Sequence, residues 1–141
     1  MNDIHRLAQL IVSCWRMSGP IARIPTSHGL LDRAMKAVWD SGGFPEWAHE
    51  RLHFADSRIG LQCVELPSIL EWAQRSQLTS APNPSYETTD VQISDRVAQR
   101  LLNELQITVA QGKELGISLR AAMEQAKAAL VGIEHSRVEE Y

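Results

Sequence analysis

The amino-acid sequence predicts an all-α protein, a small bundle of about six helices that ends in an antiparallel pair. Three observations carry that prediction. Apolar residues recur at three-four spacing from Ser94 to Val138: Val97, Ala98, Leu101, Leu102, Leu105 and Val109, then Leu119, Ala122, Met123, Ala126, Leu130 and Ile133. That period lines one face of a helix. Shorter runs with the same period fill the N-terminal half, punctuated by Gly and Pro. Only residues 59–66 alternate like a strand, and a single short strand has no partner, so helix or irregular structure is expected there.

The first helix is expected from Asn2 or Asp3 to about Met17. Ile4, Leu7, Ala8, Ile11, Cys14 and Trp15 form its inward stripe, and Arg6, Gln9, Ser13 and Arg16 face out. Ser18-Gly19-Pro20 ends it, and Ile21 to Ser27 is a loop in which Pro25 holds Ile24 extended. A second helix follows from His28 to Asp40, capped by Ser27 and stopped by Gly42-Gly43. Pro45 opens a short third helix with Phe44, Trp47, Ala48, Leu52 and Ala55 on its buried side. Pro67 opens a fourth, with Ile69, Leu70 and Ala73 inward.

Residues 77–93 carry little apolar pattern but do carry Pro82 and Pro84, which disfavour helix. This is the linker between an N-terminal part, 1–76, and the helix pair, 94–138. Leu78, Tyr86 and Val91 are its expected anchors. Neither part alone is large enough for a secure core, so residues 1–141 are expected to fold as a single domain. In the pair, Ser94 and Ser118 are placed as N-caps and Gly116 as the stop between the helices. Arg100 with Glu104, and Arg120 with Glu124, are set for ion pairs along the outer faces.

Charge narrows the function. The net charge is −3 over 141 residues, which is not the strongly basic footprint of a protein that mainly grips phosphate. Residues 1–76 balance eight basic against eight acidic side chains, so all the net negative charge lies further on. Cys14 and Cys63 are in no metal-type spacing and are expected to be reduced and buried, in the cytoplasm. Asp3, His5, Arg6 and Gln9 interrupt any signal-peptide pattern, and no stretch is apolar enough for a membrane span.

Two motifs carry chemistry. His49-Glu50-Arg51-Leu52-His53 is an HExxH run. On a helix, residues i and i+4 share a face, so both imidazoles could bind one zinc while Glu50 serves as general base on the metal-bound water. Glu71, eighteen residues beyond His53, would be the third ligand, with Glu65 as the spare. The five residues resemble the zincin metallopeptidases, which implies a zinc-dependent hydrolase. Arg51 departs from the uncharged residues usual between the motif Glu and second His, and no strand leads into the helix. The plainer reading is a solvated stripe with no metal and no cofactor.

Gly112-Lys113-Glu114-Leu115-Gly116-Ile117-Ser118 is similar to the turn of a helix-turn-helix over residues 108–127. The resemblance implies a DNA-binding regulator with Ile117 plugging the core and Arg120 and Gln125 near DNA. It departs at Ala122 and Gln125, and the balanced charge of the second helix does little for phosphate contacts. A helix corner with ordinary capping accounts for the same residues. The reading the sequence favours is therefore a non-catalytic accessory or regulatory protein. Its partner would be another protein or a second copy of itself, met through the Ala-rich C-terminal helix.

Overall fold

The computed structural model describes the backbone of residues 2–81 and 87–139, and side chains as far as residue 131. In chain order it holds α1 (Asp3–Met17), β1 (Arg23–Pro25), a 3-10 turn (Ser27–Gly29), α2 (Leu30–Asp40), α3 (Glu46–Arg51), β2 (Phe54–Ser57), β3 (Gly60–Cys63), α4 (Leu66–Arg75), β4 (Thr88–Asp90), α5 (Asp95–Glu104) and α6 (Val109–Glu139). The protein is mostly helical but not all-α. Two small antiparallel sheets are added, β1 with β4 and β2 with β3.

α1 is the centre of the molecule. Asn2 caps it by accepting from the Ile4 amide at 2.8 Å. Leu7, Ala8, Leu10, Ile11, Val12, Ser13, Cys14 and Trp15 are all buried. Six consecutive buried residues, Leu10 to Trp15, cannot come from one face. α4, α5 and α6 each pack against α1, and α2 packs on α6. The expected outward position of Ser13 is therefore wrong: it is fully buried, with a hydroxyl that meets no partner among the described residues.

The C-terminal helices also differ from the expectation. α5 and α6 make slight contact with each other beside what each makes with α1. The break between them lies at Leu105–Thr108, and α6 runs without interruption through Gly112, Gly116 and Ser118. The reason is local. Gln106 adopts a left-handed φ of 62°. The Ile107 amide donates to Leu102 O at 2.9 Å and the Gln106 amide to Asn103 O at 3.0 Å, the pair of bonds that closes a Schellman motif. Ile107 then packs into the core beside Leu102. Thr108 and Gln111 start α6 by a reciprocal box: the Gln111 amide donates to Thr108 Oγ1, and the Thr108 amide to Gln111 Oε1, each at 3.0 Å. Ser94 caps α5 as expected, accepting from the Val97 amide.

Residues 59–66 contain a strand after all. The partner that β3 needed is β2, in the register Phe54↔Cys63, Ala55↔Gln62, Asp56↔Leu61 and Ser57↔Gly60. Gly60 takes a φ of 109° beside the Arg58-Ile59 turn. Ala55, expected on a buried helical side, is an exposed strand residue. The 21–27 loop contains β1, whose register with β4 is Arg23↔Asp90, Ile24↔Thr89 and Pro25↔Thr88. The 77–93 segment is thereby pinned at both ends, with Leu78, Thr79, Thr89, Val91 and Ile93 buried and Thr79 bridging Val91. Ser27 does not cap α2, which starts after a left-handed Gly29. Pro82, Pro84, Tyr86 and the Ile133 side chain lie outside the described residues. One cluster of buried apolar side chains extends from Leu7 to Ala126 and draws on both sides of the 77–93 segment.

Candidate functional site

The HExxH run does not form one helical face. α3 ends at Arg51, and Leu52 is extended at φ −95°, ψ 134° and buried. Two interactions outcompete another helical turn. The His53 carbonyl accepts from the Val64 amide at 2.8 Å beside the β2–β3 pair, and the His53 amide donates to Glu65 Oε1 at 2.7 Å. His53 Nδ1 meets Glu65 Oε2 at 2.8 Å, so one carboxylate holds both backbone and ring. His49 stays on α3 and stacks flat on Trp39, with ring centroids 4.3 Å apart, while its carbonyl accepts from the Trp39 indole at 2.9 Å. Glu71 is ion-paired with Arg75 on the exposed side of α4. Glu50 lies 4.0 Å from Arg51 and is half exposed. The structure thus brings His53 to the spare candidate, Glu65, and leaves His49, Glu50 and Glu71 apart. Among the described residues no three His, Cys, Asp or Glu side chains are grouped to hold a metal ion.

Residues 108–127 hold no turn either. Gly116 is buried in the middle of α6, where an added Cβ would lie 2.1 Å from Cys14 O and 2.5 Å from Ser18 Cβ. This glycine is there for close approach of α6 to the end of α1, not to stop a helix. One turn on, Arg120 reaches across the contact. Its Nε donates to Ser18 Oγ at 2.6 Å, and its Nη2 to Trp15 O at 2.8 Å and Ile21 O at 2.7 Å. The guanidinium also lies over the Trp15 ring, 4.5 Å from its centroid. A cation on the last carbonyls of α1 is favoured by the helix dipole. Glu124, the expected partner of Arg120, pairs with Lys127 at 3.4 Å instead. Burial lowers the Arg120 pKa from its ordinary value.

The tryptophans form no common cage. Each presents its face to a different cation or imidazole: Trp15 to Arg120, Trp39 to Lys36 and His49, Trp47 to Arg6, and Trp72 to His5. Both cysteines are free and buried, and burial pushes each thiol up to about 12, which keeps them in the neutral form.

The face of α6 that looks away from α1 is different in kind. The inward set is Leu115, Gly116, Leu119, Met123 and Ala126. Opposite it lie Ile117, Ala121, Glu124, Ala128 and Val131, all exposed, with Glu124 at the edge that borders the cavity beside Trp15 and Arg120. Their spacing of four, three, four and three residues is that of a coiled-coil seam. Ile117 is 57% and Val131 62% exposed, the two largest apolar side chains on that face. The sequence hides this set because Gly116 next to Ile117 reads as a helix stop, and only the helix-turn-helix resemblance gives Ile117 a role, in the core. With α6 read as one helix, the second stripe is legible in the same residues.

Comparison with known protein families, with characterised proteins and with solved structures gives no match for this chain.

Proposed function

We propose that the protein is a non-catalytic accessory or regulatory factor that binds another polypeptide through the outward face of α6. The observation that supports this is the exposed seam Ile117–Ala121–Glu124–Ala128–Val131. Large apolar ends flank two alanines, and small residues let a second helix approach closely. Helix-in-groove and helix-on-helix recognition use this anchor spacing.

The seam also favours a partner other than a second copy. Glu124 stands at its midpoint, seven residues from Ile117 and seven from Val131. Parallel in-register pairing would set Glu124 against Glu124, and so would antiparallel pairing about the midpoint. Like charges at such a position weaken self-association, in part offset by the pair each Glu124 makes with its own Lys127. The fitting occupant is a helix of a different chain with apolar anchors and a Lys or Arg opposite Glu124.

The test is capture of the native complex from the source cells with wild type and with Ile117→Asp. The side chain is on the surface, so the unfolding free energy should move by no more than about 0.5 kcal/mol. A stoichiometric companion lost in Ile117→Asp supports the reading. A companion retained by that variant, or a homodimer as the sole complex, contradicts it.

A further inference from the structure

We propose that the cavity between the end of α1, β1 and α6 binds a small organic carboxylate with one apolar group. The proposal does not rest on the docking reading above. The cavity has a volume of about 300 Å³ and is lined by Trp15, Ile21, Pro25 and Met123 on its apolar side, with Arg23, Arg120 and Lys127 contributing cations. That volume holds about ten non-hydrogen atoms, at roughly the 30 Å³ that a water occupies in the liquid. It lies at the small end of ligand cavities.

The charges decide the class. Arg23 is paired with Asp90 at 3.3 Å, and Lys127 with Glu124 at 3.4 Å, a carboxylate that also lines the cavity. Arg120 is the exception. Among the described residues it has no carboxylate within ion-pair distance, and its three hydrogen bonds go to neutral oxygens through Nε and Nη2. A guanidinium has five N–H donors, so both donors of Nη1 remain unspent. A partly buried cation held by carbonyls and an aromatic face has its geometry fixed but its charge uncompensated, and a planar carboxylate is the ligand that matches its fork. Trp15, which lines the same cavity, has a buried indole N–H with no acceptor among the described residues. The apolar wall then takes the rest of the ligand.

Phenylacetate, with phenylacetamide as its neutral isostere, is the probe for a titration of the full chain followed by the indole and guanidinium N–H signals of Trp15 and Arg120. Phenylacetate should give a saturable shift of both signals, and phenylacetamide should bind at least about tenfold more weakly. Arg120 also holds the α1–β1 junction, so the variants are placed on the rim. Lys127→Ala should weaken phenylacetate by about threefold or more, and Glu124→Gln should tighten it by a similar factor, with melting unchanged in both. No saturable shift, equal binding of acid and amide, or rim variants that leave the affinity where it was would each overturn the proposal.

Discussion

Gly116 shows how one residue can carry two opposite readings. Glycine near an apparent helix end suggests a stop, because it tolerates left-handed backbone. Here it lies within α6, where it costs about 1 kcal/mol of helix propensity relative to alanine. What offsets that cost is the contact with Cys14 O, which no side chain would allow. Gly112 is similar in place but not in degree. Its added Cβ would meet Leu102 Cδ1, the movable end of a side chain, at 2.5 Å. Gly116→Ala is therefore expected to destabilise the protein by about 2 kcal/mol or more in spite of its better propensity, because overpacking against backbone cannot relax. Gly112→Ala should be within about 1 kcal/mol of wild type, since Leu102 can turn. Urea denaturation separates the two. Equal small effects would mean that α6 does not approach α1 as described.

At the scale of elements, helix existence was readable and helix ends were not. The apolar period gives α1, α2 and α4 nearly in place and the start of α5, and Asn2 and Ser94 cap as their side chains suggest. The true stop of α5 lies ten residues before the expected Gly116 because its left-handed position is occupied by glutamine, as is the same position after α4, where the 77–93 segment begins. Gln77 and Gln106 both have φ 62°, and each precedes a buried apolar residue and then a threonine: Gln77-Leu78-Thr79 and Gln106-Ile107-Thr108. The Leu78 amide returns to Ala73 O at 2.9 Å just as that of Ile107 returns to Leu102 O. The two helices thus end by the same device, with burial of Leu or Ile compensating the strain of the residue before it. Both glutamines are exposed, so Gln77→Gly and Gln106→Gly should each stabilise the protein by roughly 0.5–1 kcal/mol, the left-handed cost of a Cβ less the entropy glycine loses. A loss of stability in chemical denaturation would show that the glutamine side chains contribute something beyond the turn. The β2–β3 hairpin was hidden for another reason. Its first strand begins one residue after the HExxH run, and reading that run as a continuing helix removed the only partner β3 could have had.

For the whole molecule, the sequence located the sparse 77–93 segment but not its work. Its alternation is too short to announce a strand, and β4 pairs with β1 some sixty residues earlier, a contact no local pattern reveals. The candidate surface was illegible for a related reason. An outward seam can be recognised only once the inward one is known, and that depends on α6 being unbroken. Because α1 touches α4 on one side of the segment and α5 and α6 on the other, the chain is expected to fold and unfold as one unit. Limited proteolysis within residues 77–93 should leave two fragments that remain associated in native solution and separate only in denaturant. Fragments that part and stay folded would show two independent domains.

α6 spans 31 residues, about 46 Å at 1.5 Å per residue, while a chain of 141 residues packs into a body with a radius of gyration of about 14 Å. The outward seam from Ile117 to Val131 covers about 21 Å of that length, and it is the claim on which the functional reading stands. A photo-crosslinking residue placed at Ile117, in the source cells, tests it most directly, with Ile59 as a control that is even more exposed but lies at the hairpin tip. The expected result is a discrete adduct to a second protein from position 117 and none from position 59. No adduct at 117, or the same adducts from both positions, would contradict it.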